Sequence, residues 1–284
     1  MSDLLRKFVQ NEDNRTLMNA VDAVSYARPL PNREFDQIYM LAFDMMAQAK
    51  HVAKQIAGKN VVFLGDGDGM SILFARLQSV GLMDEVASMQ VCDFDERILT
   101  TVKHLIEECS SGNFVASTTL YNIINPTPDE LVGKFDFFYI NPPYGSKNGG
   151  LSCELWLHRC LDLCAPKCGG CIIIPYSKTQ SWTVSNWKNI QKFLLEKGFV
   201  VRDMVANKHS YYLPDNPDLQ SASIIVEQIN DGTSEYHSKM FDKNQTRNLY
   251  GSPRAMPQYI FESSTNLLGD RDYNWEYGED GFWD

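Results

Sequence analysis

The sequence lacks any apolar run near the roughly 18 residues that a membrane-spanning helix needs. Residues 1–7 also lack the long apolar stretch and the small-residue cleavage pattern of an export signal. Internal repeats and low-complexity linkers are absent as well. These absences predict a cytoplasmic protein that does not have a membrane as its partner.

Basic residues are scarce beside acidic ones. The chain has 26 Lys and Arg against 36 Asp and Glu, which gives a formal net charge of −10. A duplex nucleic acid is a dense line of negative charge, and its binding normally requires a basic patch. The charge balance therefore disfavours a nucleic acid as partner and favours a small cationic substrate such as an amine.

Cysteines are few for a chain of this length, and their number, seven, is odd. Without an export signal, we expect free thiols. Cys164, Cys168 and Cys171 nevertheless have the C-x₃-C-x₂-C spacing of radical S-adenosylmethionine iron–sulfur enzymes, and Cys160 lies four residues earlier. Because this spacing crosses a predicted helix end and enters a late strand, we expect no bound metal, and a cluster remains the alternative.

The sequence does contain a regular alternation of short apolar runs with amphipathic segments. Strands are predicted at 61–64, 88–92, 114–118, 135–140, 171–175, 199–205 and 223–228. Helices are predicted between them, at 70–80, 95–108 and 153–165, and again before Gly198. This order predicts an α/β protein with a mostly parallel, Rossmann-type sheet that is flanked by helices on both faces.

Three regions follow from the pattern. Apolar residues at three- and four-residue steps from Phe35 to Ile56 predict a long helix that Asn32 caps and Gly58 ends. We therefore divide the chain into an N-terminal helical segment (1–58), a catalytic domain (59–250) and an acidic, aromatic C-terminal tail (251–284). Within the tail, residues 269–284 are predicted either to fold over the site as an acidic, aromatic lid or to lie in solvent.

A glycine loop follows the first predicted strand. Gly65, Gly67 and Gly69 alternate with Asp66 and Asp68. Glycine permits a tight turn and lets a ligand approach the backbone. The pattern resembles the first motif of class I methyltransferases. Carboxylates repel a pyrophosphate but attract a sulfonium or an ammonium group, so we expect a sulfonium nucleoside here and assign all five residues to its binding or its chemistry.

The second predicted strand ends at another acid. Asp93 lies where nucleoside-binding α/β proteins have an acid that accepts hydrogen bonds from ribose hydroxyls. Phe94 is predicted to pack on the adenine, and Asn122 to read its edge. Asp95 is predicted to cap the next helix, and the alternative is that Asp93 also serves only as a cap.

The tetrapeptide Asn141-Pro142-Pro143-Tyr144 directly follows the fourth predicted strand. The prolines fix a rigid exit from the strand. The amide oxygen of Asn141 and the carbonyl of Pro142 can both accept hydrogen bonds from one amino group, which aims the lone pair of that nitrogen at an electrophile. Tyr144 can stack on a planar substrate or contact a cation. The motif resembles that of amino-group methyltransferases.

A wider resemblance joins these motifs. It rests on Glu34-Phe35-Asp36-Gln37, Leu64-Gly65-Asp66-Gly67-Asp68, Cys92-Asp93-Phe94-Asp95-Glu96-Arg97, Phe135-Asp136, Pro142-Pro143 and Ser185-Asn186-Trp187-Lys188-Asn189-Ile190-Gln191. Their order and spacing resemble the catalytic domain of the branched-chain polyamine synthases, the bis(aminopropyl)spermidine synthase family, within the class I S-adenosylmethionine-dependent methyltransferase-like superfamily. The resemblance implies aminopropyl transfer from decarboxylated S-adenosylmethionine to a polyamine nitrogen. It also implies that Asp68 acts on the attacking amine, and it admits a homodimer.

Two departures from the family keep a second function open. Gly67 replaces an acid of the family's loop, and Asn141 stands where the family usually has aspartate. Asn-Pro-Pro-Tyr instead favours a neutral, planar nitrogen. The alternative is therefore an N-methyltransferase that uses intact S-adenosylmethionine on an amino group of a base, a nucleotide or a protein side chain. A degenerate, non-catalytic binding subunit is a third reading.

Overall fold

Seven strands form one central sheet in the computed structural model, which describes residues 11–109, 115–177, 180–211, 213, 216–230, 232–250, 257–262 and 273–277. They are β1 (Asn60–Leu64), β2 (Ser88–Asp93), β3 (Ala116–Leu120), β4 (Phe135–Ile140), β5 (Cys164–Pro175), β6 (Phe199–Ser210) and β7 (Gln220–Gln228). Their order is β3-β2-β1-β4-β5-β7-β6. β7 is antiparallel to β5 and β6, and the remaining neighbours are parallel. The predicted class I methyltransferase-like fold is confirmed.

The central strands are apolar along their whole length because both faces of the sheet are covered. In β1, Val61 and Phe63 enter the core on one face, whereas Val62 and Leu64 enter the core on the other. Each of these four side chains is at most 1 % exposed. A continuous apolar run in this position therefore specifies a strand that is buried on both sides.

Helices cover the two faces. They are α1 (Glu12–Ala27), α2 (Ala42–Ile56), α3 (Met70–Ser79), α4 (Glu96–Cys109), α5 (Leu151–Leu163), α6 (Ser181–Glu196) and the short α7 (Lys243–Thr246). The first four share one core with the sheet, and α5 and α6 share the core on the opposite face. The predicted helical segment at the N-terminus thus packs into the core of the sheet. Within the described ranges no helix is both long and apolar enough to cross a membrane.

One predicted helix was too long. α2 begins at Ala42 rather than near Phe35, and the residues before it form a single 3₁₀ turn, Arg33–Phe35, followed by an irregular segment. Tertiary hydrogen bonds replace helical ones here. The Met40 N–H donates to Asp68 (2.7 Å), and the Leu41 N–H donates to the Ser210 carbonyl (3.3 Å). The apolar periodicity is present, but residues 36–41 bond to the glycine loop and to the end of β6 and are therefore not helical.

Other boundaries shifted by a few residues for similar reasons. β5 begins at Cys164, so the helix predicted to Ala165 ends at Leu163. β3 is described from Ala116, and its predicted start at Phe114 lies outside the described residues. β3 pairs in parallel register with β2 from Met89–Ala116 to Asp93–Leu120. Pairing with a neighbouring strand therefore set these ends, and that information is not local in the sequence.

Part of the predicted tail forms a hairpin of β8 (Pro257–Glu262) and β9 (Tyr273–Tyr277). The Ile260 N–H donates to the Phe94 carbonyl (3.0 Å), and the Ile260 side chain is fully buried. The hairpin thus docks beside the loop that follows β2. The rest of the predicted lid, residues 269–272 and 278–284, lies outside the described residues, and the domain limits at 58 and 250 stay predictions.

Candidate active site

A cavity of about 860 Å³, including its open mouth, lies at the carboxyl edge of the sheet. Parallel pairing brings the ends of β1, β2 and β4 to this edge, because Leu64 pairs with Cys92 and Phe63 pairs with Tyr139. The lining comes from the loops after these three strands, from residues 35–39 and from Trp156 and Tyr250. Most of the residues singled out from the sequence meet here, as expected for an open α/β sheet.

The glycine loop turns sharply between β1 and α3. Gly65 and Gly69 both have left-handed backbone conformations, with φ of 75° and 71°. Gly65 lines the cavity, and its N–H donates to the Cys92 carbonyl (2.8 Å). Gly69 is not among the lining residues, and a Cβ there would lie 2.7 Å from Val24 Cγ1. Gly69 therefore allows α1 to pack on the loop, and its predicted ligand contact stays a prediction.

A tyrosine ring occupies the space beside Gly67 where a side chain would otherwise lie. A Cβ at this position would lie 2.7 Å from Cε1 of Tyr39. Arg28 in turn covers that ring, with its guanidinium carbon 5.0 Å from the centroid. Glycine at position 67 therefore leaves room for the Tyr39 ring, a contact that the sequence pattern did not indicate.

Gly67→Ala is expected to lower the free energy of unfolding by about 1–3 kcal/mol, because the new methyl group overlaps the Tyr39 ring. Urea denaturation of both proteins measures the loss. A double-mutant cycle provides the control, since the same substitution in a Tyr39→Ala background meets no ring. An equal loss in both backgrounds would show that the contact with Tyr39 is not the cause.

Asp66 anchors the start of α3. One of its carboxylate oxygens accepts from the Met70 N–H (2.8 Å), and the other accepts from the N–H (3.1 Å) and the hydroxyl of Ser71. The side chain is buried but lines the cavity. Helix capping was not part of the sequence interpretation, and it leaves Asp66 less free to hold a ligand's ammonium group.

Asp93 joins the ends of β1 and β2. Its carboxylate accepts from the Asp66 N–H (3.0 Å) and from the Asp95 N–H (2.9 Å). Asp95 accepts from the Arg97 N–H (3.1 Å) and from Gln37 Nε2 (2.9 Å), so it also caps α4 as predicted. These contacts join the motifs around residues 37 and 95 that carried the family resemblance.

Burial should make the stability of the free protein depend on pH. It raises the pKa of Asp66 to about 8 and that of Asp93 to about 7. An unfolded aspartate ionises near pH 4, so between about pH 4 and pH 8 the folded state binds more protons than the unfolded state, and stability falls as the pH rises. We expect a lower Tm at pH 8 than at pH 5.

Asp66→Asn should shrink that fall in Tm, because the group that holds the extra proton is removed. The exposed Asp84→Asn, on the loop between α3 and β2, is the matched control and should leave the fall unchanged. Differential scanning calorimetry at both pH values measures the effect. An equal fall in wild type and Asp66→Asn would assign the pH dependence to other groups.

Asp68 and Asn141 form a direct pair across the cavity. Asn141 Nδ2 donates to Asp68 Oδ2 (2.8 Å), and the Met40 N–H donates to Asp68 Oδ1. Arg28 lies 3.9 Å from the same carboxylate. Burial raises the pKa of Asp68, although these partners favour its charged form. A basic carboxylate in a cavity is suited to accept a proton from a bound amine.

Tyr144 lies beside Asn141, and its hydroxyl donates to Asn141 Oδ1 (3.4 Å). Its hydroxyl contacts that of Tyr211 (2.5 Å), a residue at the end of β6 that the sequence reasoning missed. Pro142 and Pro143 also line the cavity. No local pattern marks Tyr211, because it approaches the site from a strand late in the chain.

The part of the cavity next to Asp93 has an aromatic wall. Phe94 packs on Phe35 (5.5 Å between centroids) and on Tyr250 (5.1 Å), which in turn contacts Trp156. The hydroxyls of Tyr39 and Tyr250 are buried and find no hydrogen-bond partner within the described part of the chain. Buried polar atoms are nearly always paired, so the wall fits a ligand that is both planar and polar, such as an adenine nucleoside.

The predicted contact of Asn122 with the adenine is not seen in the lining of the cavity. Asn122 is not among the lining residues, since its side-chain oxygen accepts from the Ile124 N–H (3.0 Å) and closes a local turn. Its role at the adenine edge stays a prediction.

All seven cysteines are free, as predicted. Cys160 lies in α5, and Cys164, Cys168 and Cys171 lie in β5 rather than at a helix end. Across the described ranges, no group of three or more His, Cys, Asp or Glu side chains is arranged to hold a metal ion.

Known proteins share this sequence pattern and this fold. Residues 16–256 match the family described as "Branched-chain polyamine synthase A C-terminal domain". The N(4)-bis(aminopropyl)spermidine synthase of Thermococcus kodakarensis is 28% identical over 69% of this chain and 52% of its own length. That of Thermus thermophilus is 27% identical over 65% of this chain and 50% of its own. The chain thus spans about half the length of the curated relatives it matches.

The solved structures agree on the fold. The C9 mutein of the Thermus thermophilus branched-chain polyamine synthase, in complex with N4-aminopropylspermidine and 5′-methylthioadenosine, superimposes with a TM-score of 0.67. It is 20% identical, and the match covers 86% of this chain and 71% of that one. At this level of identity the likeness establishes the arrangement of strands and helices.

Proposed function

Because this chain belongs to the branched-chain polyamine synthase family, we propose that it transfers the aminopropyl group of decarboxylated S-adenosylmethionine to a polyamine nitrogen. The nitrogen lone pair attacks the carbon next to the sulfonium, the carbon–sulfur bond breaks, and neutral 5′-methylthioadenosine leaves. The nitrogen must give up one proton. The relatives' names and the ligands of the Thermus thermophilus structure support this assignment.

The observation that carries the proposal is the hydrogen bond from Asn141 Nδ2 to Asp68 Oδ2. An aliphatic amine is protonated at neutral pH, so a base must take its proton before it can attack. Asp68 is that base, and its raised pKa suits the task. Asn141 supports the carboxylate with its amide nitrogen. In this proposal its amide oxygen accepts from the amine, so the asparagine is compatible with a cationic substrate.

The donor occupies the side of the cavity next to Asp93 in this proposal. Asp93 would accept from the ribose hydroxyls, and Phe94 with Tyr250 would flank the adenine. The backbone of Gly65 and Gly67 would pass close to the sulfonium end, where Asp68 contributes negative charge. This support rests on the lining of the cavity and on two buried tyrosine hydroxyls that have no hydrogen-bond partner among the residues described.

Methyl transfer to an amino group is the second candidate. Asn141 Oδ1 and the Pro142 carbonyl lie at the end of β4, where that chemistry would use them. The same base, Asp68, would then serve a different donor. A homodimer stays a prediction in either case.

Calorimetric titration with both donors tests the proposal, followed by turnover with spermidine. We expect tighter binding of decarboxylated S-adenosylmethionine and release of 5′-methylthioadenosine with a larger polyamine as the second product. Preference for intact S-adenosylmethionine, with S-adenosylhomocysteine released, would favour the methyltransferase. Binding of neither donor would contradict both candidates.

A further inference from the structure

A further carboxylate lines the cavity, besides those that have a role in the proposed function. Asp36 is half-buried and belongs to the segment that runs along the cavity before α2. Burial raises its pKa to about 6, although the charges of Arg33 and Lys147 favour the ionised form, so Asp36 is charged at neutral pH. A charged carboxylate in a cavity attracts a cationic group of a ligand.

Backbone hydrogen bonds hold Asp36 in place. Its φ of 55° is left-handed, a conformation that aspartate and asparagine adopt more readily than most residues. The Asp36 N–H donates to the Arg33 carbonyl (3.3 Å), and the Gln37 N–H donates to the Asn32 carbonyl (3.2 Å). Gln37 Nε2 also donates to Asp95 (2.9 Å), which joins this turn to the loop after β2. The backbone that carries the carboxylate is therefore fixed before a ligand arrives.

Asp36 lies on the side of the cavity that is formed by the turn after β4. Burial, Glu154 and Asp36 raise the pKa of the Cys153 thiol, and this thiol donates to the Pro143 carbonyl (3.6 Å). Lys147, whose charge acts on Asp36, belongs to the loop that continues the same turn. The proposed function places the attacking nitrogen at this turn. The cation that Asp36 meets therefore belongs to the acceptor amine rather than to the donor.

A polyamine brings more than one cation into the cavity. Its internal nitrogen gives up a proton to Asp68 before it attacks, but its terminal amines stay protonated, because the pKa of a primary ammonium is about 10. An ammonium that leaves water for a cavity loses its hydration, and hydrogen bonds to a carboxylate offset that loss. Linear polyamines and polyamines already branched at the internal nitrogen both end in primary amines, so both provide this cation.

We propose that Asp36 determines specificity for the acceptor: its carboxylate binds a terminal primary ammonium of the polyamine and so places the internal nitrogen at Asp68. One ligand can meet both carboxylates, because the segment that carries Asp36 continues to Met40, whose N–H donates to Asp68 (2.7 Å). The inference rests on the proposed function, since it assumes that a polyamine enters the cavity. It goes further by naming the part of the substrate that is recognised away from the reacting nitrogen.

Asp36→Asn tests the contact, because asparagine has the same shape and also tolerates the left-handed backbone. Two analogues of spermidine, N-propylputrescine and N-butyl-1,3-diaminopropane, each lack one of its terminal amines. Calorimetric titration in the presence of 5′-methylthioadenosine gives the Kd of spermidine and of each analogue. We expect one analogue to bind wild type about 10–100-fold more weakly than spermidine does, because the ammonium that faces Asp36 is missing.

The variant should bind spermidine about as weakly as wild type binds that analogue, and the analogue itself should bind both proteins alike. Such a cycle assigns the loss to one ammonium and one carboxylate. The Kd of 5′-methylthioadenosine should be the same in Asp36→Asn and wild type, which also checks that the variant is folded. An equal loss for spermidine and both analogues in Asp36→Asn, or a loss confined to decarboxylated S-adenosylmethionine, would overturn the inference.

Glu154→Gln is the matched control, because Glu154 is also half-buried and acts on the same Cys153 thiol but is not among the lining residues. It should leave the Kd of spermidine unchanged, which separates a direct contact from the loss of a nearby charge. If wild type transfers to spermidine but Asp36→Asn binds spermidine normally, the inference is wrong and the proposed function stands. If the cycle shows the contact but wild type transfers nothing to spermidine, the proposed function fails and the recognition of the ammonium stands.

Discussion

Replacing Asp68 by asparagine is expected to slow aminopropyl transfer by about 10²–10⁴-fold, the usual contribution of a general base. The reason lies in the charge state of the substrate. A polyamine nitrogen is blocked by its proton until a carboxylate removes it, and Asp68 is the carboxylate that Asn141, Met40 and Arg28 hold in the cavity.

The substitution should also disturb the partner of Asp68. A new amide at position 68 can accept from the Met40 N–H, but its own nitrogen would then face Asn141 Nδ2. Asn141 must turn over to restore a hydrogen bond, which directs its nitrogen instead of its oxygen at the substrate. We therefore expect Asp68→Asn to weaken polyamine binding as well as to slow turnover.

Binding of 5′-methylthioadenosine, which has no sulfonium, should remain nearly intact in Asp68→Asn, since the proposed ribose and adenine contacts lie at the end of β2. Single-turnover kinetics with saturating donor and calorimetry with 5′-methylthioadenosine measure the two effects separately. Asp84→Asn, an exposed aspartate, should behave as wild type. Transfer at the wild-type rate in Asp68→Asn would show that another group takes the proton.

Asp93→Asn should have the opposite effect: donor affinity should fall, whereas turnover at saturating donor should change little. We expect the Kd of 5′-methylthioadenosine to rise about 100-fold, because hydrogen bonds to a charged carboxylate are worth about 1.5–3 kcal/mol. The cause is the loss of the charged acceptor for the ribose hydroxyls. The asparagine keeps one oxygen that can accept from the Asp66 N–H, and the bond from the Gly65 N–H to the Cys92 carbonyl is untouched, so the loops after β1 and β2 should stay joined.

Turnover at saturating donor should change little in Asp93→Asn, because the residue does not touch the attacking nitrogen. Titration calorimetry gives the Kd, and circular dichroism checks the fold of the variant. Unchanged affinity for 5′-methylthioadenosine would return Asp93 to the purely structural role that was the alternative at the outset. The pair of variants thus assigns base and donor site independently.

The sequence pattern alone determined the architecture of this protein and the position of its site at the ends of the strands. Apolar runs such as Val61–Leu64 specify strands because burial on both faces requires continuous apolarity. Parallel strands end at one edge, so Asp68, Asp93 and Asn141 could be placed together from their positions after β1, β2 and β4. Periodicity and strand-end position are local properties, and a single sequence displays them.

The tertiary structure decided what those residues contact. Only packing shows that Tyr39 fills the space above Gly67, that Asp66 caps α3, or that Asn122 turns away from the cavity. Tyr211, which directly follows β6, contacts Tyr144 although it lies more than a hundred residues beyond the glycine loop. Such contacts depend on the register of distant strands, which no local pattern in the chain encodes.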